Sequence, residues 1–258
     1  MTISQTLSKP EEFNCVACKR QVSSVWREAS EFLKACWVPG ECLHCAEEIR
    51  KRKIEEEKMK LAGAFQAAGI AKRFLDKTFG NYEIDLMHQA QSKNVAILRN
   101  FAEQFESCSK KGMCLMLLGG VGSGKTHLAS ALVKYLIERK RTAMMITILR
   151  LLRSVKECYA KDSKSRESSV IKQIETVELL VIDEVGMQFQ SEAESVIIFD
   201  IMNARYEAVK PTVLISNLNF MEIEKILGSR LIDRFYEGES KILIFDWESW
   251  RKKQRSSV

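Results

Sequence analysis

The sequence predicts an α/β fold, a parallel sheet covered by helices on both faces, behind a small cysteine-rich unit. Three observations carry this. Five short apolar runs alternate with amphipathic stretches after about residue 90, the rhythm of strands joined by crossover helices. A glycine-rich loop motif sits between the first of those runs and the helix that follows. Two C-x-x-C pairs lie within the first 46 residues.

Size and composition set the bounds. The chain has 258 residues and is 46% hydrophobic, enough for one sizeable core and a small appendage. Charged residues make up 29% and the formal net charge is +6. That mildly basic balance permits nucleic-acid binding without requiring it. No apolar run reaches the roughly 18 residues of a membrane span. The opening MTISQTLSKPEEF has neither the basic start nor the apolar stretch of a secretory signal. These features predict a cytoplasmic protein without membrane association. Its eight cysteines then read as thiols or metal ligands rather than disulfides.

The elements follow in order. Residues 1–46 hold a loose tail and then five cysteines. Cys15 and Cys18 (CVAC) are separated from Cys42 and Cys45 (CLHC) by 23 residues. Four thiolates from two tight turns suit tetrahedral Zn²⁺, the alternative being free thiols or a redox pair. Such a zinc-ribbon-like unit would stand in for a core too small to fold alone. Cys36 and His44 are spare ligands, while Cys108, Cys114 and Cys158 fall in helix or strand patterns and read as buried thiols. Residues 47–69 begin EEIRKRKIEEEKMKL, a charged helical linker with Glu47–Lys51, Glu48–Arg52 and Glu56–Lys60 one turn apart.

Residues 70–258 form the α/β domain. Val95, Leu98, Phe101, Ala102 and Phe105 mark its first helix. Strands are predicted at 113–118, 143–148, 179–183, 212–216 and 241–245. The helices between them are LASALVKYLIERK, LRLLRSVKECY and a long one from Ser191.

The chemistry sits at the strand ends. Gly119, Gly120, Val121, Gly122, Ser123, Gly124, Lys125 and Thr126, followed by His127, match G-x-x-x-x-G-K-[ST] between a strand and a helix. The glycines let backbone N–H groups turn in around the phosphates of ATP, and the helix adds its positive end. Lys125 can reach the β- and γ-phosphates, and the Thr126 hydroxyl can bind Mg²⁺. In LLVIDEVG, Asp183 closes a buried strand where it can hold the Mg²⁺ shell, and Glu184 can activate a water. That pair predicts an ATPase rather than a transferase. Asn217 ends the next strand and can sense the γ-phosphate, with Asn219 the better helix cap. Arg230 and Arg234 in GSRLIDRF stand four apart on one helix face. By spacing alone they are a surface stripe. Alternatively one of them reaches a neighbouring subunit's γ-phosphate and mediates self-assembly. Tyr159, with Lys156, Lys161, Lys164 and Arg166 around it, offers a stacking base and charges for single-stranded DNA, or else an exposed loop rich in Ser and Lys.

GGVGSGKTHLA, LLVIDEVG, the SN step and GSRLIDRF, in this order, resemble the AAA+ ATPases of the DnaC family, the replicative helicase loaders. TFGNYEID and IFDWESWR look like that family too, so the resemblance covers roughly residues 70–251. It implies a P-loop AAA+ core of five parallel strands, with the TVLIS strand between the P-loop and LLVID strands. It implies Lys125 and Thr126 on ATP and Mg²⁺, Asp183 and Glu184 as the acidic pair, and Asn217 as sensor. It makes Arg234 the arginine finger and Arg230 a supporting phosphate contact. It further implies a hexameric DnaB-type helicase and single-stranded DNA as partners, with ATP governing assembly and release. The cysteine pairs depart from that family's pattern, and a zinc ribbon there would replace or extend the part that grips the helicase. Two other readings share these residues: a transposition helper ATPase of the related IstB type, and a zinc-ribbon nucleic-acid adaptor with a nucleotide switch.

Overall fold

A computed structural model describes residues 13–28, 36–85, 88–158, 172–187, 191–237, 239–250 and 252. The chain divides into two units, Met1–Lys60 and Leu61–Val258.

The first unit is built from two short hairpins. β1 (Phe13–Asn14) pairs antiparallel with β2 (Gln21–Val22), and β3 (Ser24–Arg27) with β4 (Cys36–Pro39). Helix α1 (Leu43–Ala67) follows. Every residue from Glu47 to Lys60 is exposed, as its nearly unbroken charge requires. On that surface Lys51 meets both Glu47 (3.7 Å) and Glu48 (3.9 Å). None of residues 13–28 and 38–60 is buried.

The second unit is organised on five parallel strands: β5 (Leu115–Gly119), β6 (Ala143–Thr147), β7 (Leu179–Asp183), β8 (Thr212–Ser216) and β9 (Lys241–Phe245). Their order is β6-β7-β8-β5-β9, with β8 between the P-loop strand and the acidic strand. Alternation sends odd and even side chains to opposite faces. Leu115, Leu117, Val181, Val213, Leu243 and Phe245 join the core under α2 (Gln89–Glu103) and α4 (Lys125–Glu138). Met116, Leu118, Leu180, Ile182 and Leu214 face the other core. That one is closed by α5 (Ile148–Cys158), α6 (Glu192–Glu207), α7 (Phe220–Leu227) and α8 (Ser229–Glu237). Near-continuous apolar strands are what a sheet covered on both faces demands.

Three boundaries differ from the sequence reading. The helix through Phe101 breaks at Gln104 (φ −100°, ψ 21°), and a short helix, α3 (Phe105–Lys110), runs on from it. The break leaves Phe101 and Phe105 edge to face at 5.9 Å, both in the core. The first strand begins at Leu115, because the Cys114 N–H is taken by Ser240 Oγ and not by a neighbouring strand. Ile148 opens α5 instead of ending β6. Cys108 is buried as expected, whereas Cys114 is half-buried, its Sγ accepting the Thr212 N–H at 3.3 Å. Nothing in the sequence announces Arg205. It is 1% exposed, and its guanidinium donates to Thr212 Oγ1 and to the carbonyls of Ile174, Val177, Glu178 and Pro211. Such saturation is what a buried arginine without a carboxylate partner requires. No helix among the described residues is long and apolar enough to cross a membrane.

Candidate functional site

The predicted phosphate loop bridges β5 and α4 at the C-terminal edge of the sheet. Gly119 has φ +128°, and a Cβ there would lie 2.3 Å from the Phe245 carbonyl oxygen. Gly124, the N-cap of α4, has φ +94°, and a Cβ would fall 2.4 Å from the Tyr82 ring. Only glycine satisfies both conformation and space at these positions. The loop borders a cavity of about 410 Å³ that Lys125, Thr126, Asp183, Glu184 and Asn217 also line.

Within it, the ammonium of Lys125 donates to the Gly119 and Gly120 carbonyls (2.6 and 2.7 Å) and to Ser123 Oγ (3.3 Å). Burial lowers its pKa to about 8, against the opposing pull of Asp183. Thr126 Oγ1 donates to Asp183 Oδ2 at 3.0 Å, and the Glu184 N–H donates to Asp183 Oδ1 at 2.8 Å. Asp183 is 7% exposed, and burial raises its pKa even so. A hydroxyl and a carboxylate in contact beside a lysine form a hard-oxygen donor set that fits Mg²⁺. Glu184 takes a left-handed φ of +62°, uncommon for a residue with a side chain, and it is exposed at the cavity wall. Asn219 caps α7 in a reciprocal box with Glu222, which leaves Asn217 as the cavity-lining amide of the two.

Sequence reasoning missed the groups that hold the loop in shape. The Ser123 carbonyl accepts from both the Tyr82 hydroxyl and the Trp247 indole, each at 2.9 Å. The Trp250 N–H reaches the Gly122 carbonyl at 3.1 Å. His127 turns to the Thr78 carbonyl (2.9 Å) and packs edge-on to Tyr82. These aromatics lie in the TFGNYEID and IFDWESWR stretches, but only the fold brings them to the loop.

The other candidates fall elsewhere. Arg230 is exposed on α8. Arg234 lies over the rings of Phe199 (5.5 Å) and Tyr206 (5.1 Å), away from the nucleotide-sized cavity. Its Nη1 is buried with no hydrogen-bond partner among the described residues. Lys156 is tied to Glu194 at 2.7 Å. Tyr159, Lys161, Lys164 and Arg166 lie outside the described residues.

In the first unit the four predicted cysteines converge. All four Sγ atoms lie within 4.8 Å of one another, with Cys15–Cys45 at 3.6 Å and Cys18–Cys42 at 3.5 Å. A tetrahedron of Zn–S bonds of about 2.3 Å has edges of about 3.8 Å, so the donor set fits zinc. Backbone N–H groups of Cys18 and Ala17 lower the Cys15 pKa to about 6. Hydrogen bonds to Cys18 and then Cys15 raise that of Cys45 to about 12. Crowded sulfurs resist joint ionisation unless a cation sits among them. His44 is exposed and outside the cluster.

A five-stranded parallel sheet of this order, with a P-loop and an acidic strand end, is the P-loop AAA+ fold. The chain belongs to the family described as IstB-like ATP binding protein, which matches residues 45–258. It is 33% identical over 205 residues to the replicative helicase loader DnaC of Buchnera aphidicola subsp. Baizongia pistaciae, covering 80% of each chain. It is 32% identical over 207 residues to DnaC of Escherichia coli K12, covering 80% of this chain and 82% of that one. A crystal structure of the DnaC helicase loader matches its fold with a TM-score of 0.58 at 24% identity, covering 67% of this chain and 99% of that one.

Proposed function

We propose that this protein is a cytoplasmic ATPase that loads a hexameric, DnaB-type replicative helicase onto single-stranded DNA, ATP governing assembly and release. The observation that carries it is the cavity in which Lys125, the Thr126–Asp183 contact, Glu184 and Asn217 converge. The loaders among its relatives, similar over four fifths of the chain, supply the substrate class. Their names favour this reading over a transposition helper or a zinc-ribbon adaptor.

In this reading residues 70–258 are the motor. Gly119–Thr126 and His127 surround the triphosphate, and the Lys125 ammonium exchanges its loop carbonyls for β- and γ-phosphate oxygens. Thr126 and Asp183 would hold Mg²⁺, which would supply charge neutralisation to the triphosphate. Glu184 takes a proton from the attacking water while Asn217 orients it. Arg234 leaves its aromatic bed to meet the γ-phosphate bound by a second copy, supported by Arg230. Its unpartnered Nη1 favours that exchange, because a buried donor without an acceptor is costly. Lys156, Tyr159 and Lys161 contact single-stranded DNA. Residues 1–46 form a Cys15–Cys18–Cys42–Cys45 zinc module that contributes to helicase binding, joined by the charged linker 47–69.

Glu184→Gln tests the motor. ATP binding should persist while hydrolysis falls by about 10²-fold or more. Unchanged hydrolysis contradicts the assignment, and co-elution with a transposase but not with a helicase contradicts the loader reading.

A further inference from the structure

The segment 72–82 is fastened to the phosphate loop and its helix by three anchors. The Tyr82 hydroxyl donates to the Ser123 carbonyl, at the loop itself (2.9 Å). His127, in the first turn of α4, bonds the Thr78 carbonyl (2.9 Å). Lys134 donates from Nζ to the Leu75 carbonyl and to the Lys77 carbonyl, the latter at 3.0 Å. Its ammonium also sits 5.4 Å from the centre of the Phe65 ring. His127 and Lys134 are two turns apart and so share one face of α4.

Lys134 is the unusual member. It is 6% exposed, and burial lowers its pKa. Its hydrogen bonds go to carbonyls, not to a carboxylate. Burying an ammonium carries a desolvation cost that a surface lysine avoids. Both carbonyls belong to a loop distant in sequence, so what the lysine fixes is that loop.

The loop in question forms one wall of the cavity, contributing Arg73, Phe74, Lys77, Asn81 and Tyr82. Lys125, Thr126 and the start of α4 define the phosphate end, which leaves this wall to the nucleoside. Its surfaces suit a flat base: the Arg73 guanidinium lies 4.6 Å from the Phe74 ring centre, and Tyr82 lines the same cavity. Lys134 is nine residues beyond Lys125, about 13 Å along the helix, too far to touch the phosphates.

We infer that Lys134 is a positioning residue that holds the nucleoside-facing wall against the phosphate-binding helix, setting affinity for the nucleoside part of ATP without contributing to phosphate binding. The inference rests on the ATP site proposed above.

The test is calorimetric titration of the full chain with Mg²⁺-ATP and with inorganic tripolyphosphate. It compares wild type, Lys134→Met and Lys134→Arg. Lys134→Met should weaken ATP by about tenfold and leave tripolyphosphate unchanged, while Lys134→Arg, which keeps charge and donors, stays within about threefold for ATP. If both ligands weaken together in Lys134→Met, the residue acts on the whole helix and the inference fails. If ATP binding is unchanged in Lys134→Met while wild type binds ATP, the inference fails and the ATP site stands. A wild type that binds neither ligand removes the ATP site and the inference with it.

Discussion

The two units reach order by opposite means. From Leu61 onward, two apolar cores sandwich a five-stranded sheet, and residues such as Leu98, Leu117, Leu132 and Val181 are wholly shielded from water. Before it, none of residues 13–28 and 38–60 is buried, and the most concentrated feature is four sulfurs drawn together. Apolar burial can hold the first kind of structure without help. The second kind lacks that driving force and needs a cross-link or a metal. With zinc bound as proposed, the two units would be vulnerable in different ways, one to cavities and the other to loss of the ion.

The largest effect should come from metal removal. Structural zinc sites contribute about 10–16 kcal/mol of binding energy that is also folding energy. A strong chelator should therefore unfold the hairpins of β1 to β4 and free four thiols for titration, with ATP affinity unaltered. Purified protein with less than about half an equivalent of zinc would break the comparison. Next, Phe101→Ala should cost the second unit about 3–5 kcal/mol by opening a cavity in its core, seen as a lower melting temperature, while bound zinc is retained. Simultaneous zinc loss would mean that the units are not energetically separate. Asn219→Ala should cost about 1 kcal/mol, the value of a lost cap, and leave the zinc content unchanged.

A last effect, close in size to that of the lost cap, concerns pH. Lys125 has a pKa lowered to about 8, so the free chain loses that proton between pH 7 and 9. A bound triphosphate favours the charged form, so binding at pH 9 must take up a proton. ATP affinity should fall by up to about tenfold from pH 7 to 9, and titrations at both values check it.

What was legible in the sequence followed from locality. The phosphate loop, the Asp183–Glu184 strand end and the two cysteine pairs are contiguous patterns whose spacing already fixes their geometry. The strand order also agrees with what the family resemblance implied, β8 lying between β5 and β7. The supports were not legible. Tyr82 and Trp247 meet at one carbonyl of Ser123 from 41 positions before it and 124 after it, a convergence no spacing rule encodes. Lys134 carries no local signal either, because its partners lie 57 to 59 positions away. The break at Gln104 was hidden too, since Phe101 and Phe105 keep helical spacing across it.

As proposed above, the chain would use ATP to place a replicative helicase on single-stranded DNA. The direct measurement mixes the chain with its host's hexameric helicase and a closed single-stranded circle coated with single-strand-binding protein, then scores helicase retained on the circle. Retention should require both the chain and ATP and be lost in Lys125→Ala. Retention indifferent to the chain, or undiminished by Lys125→Ala, would contradict it.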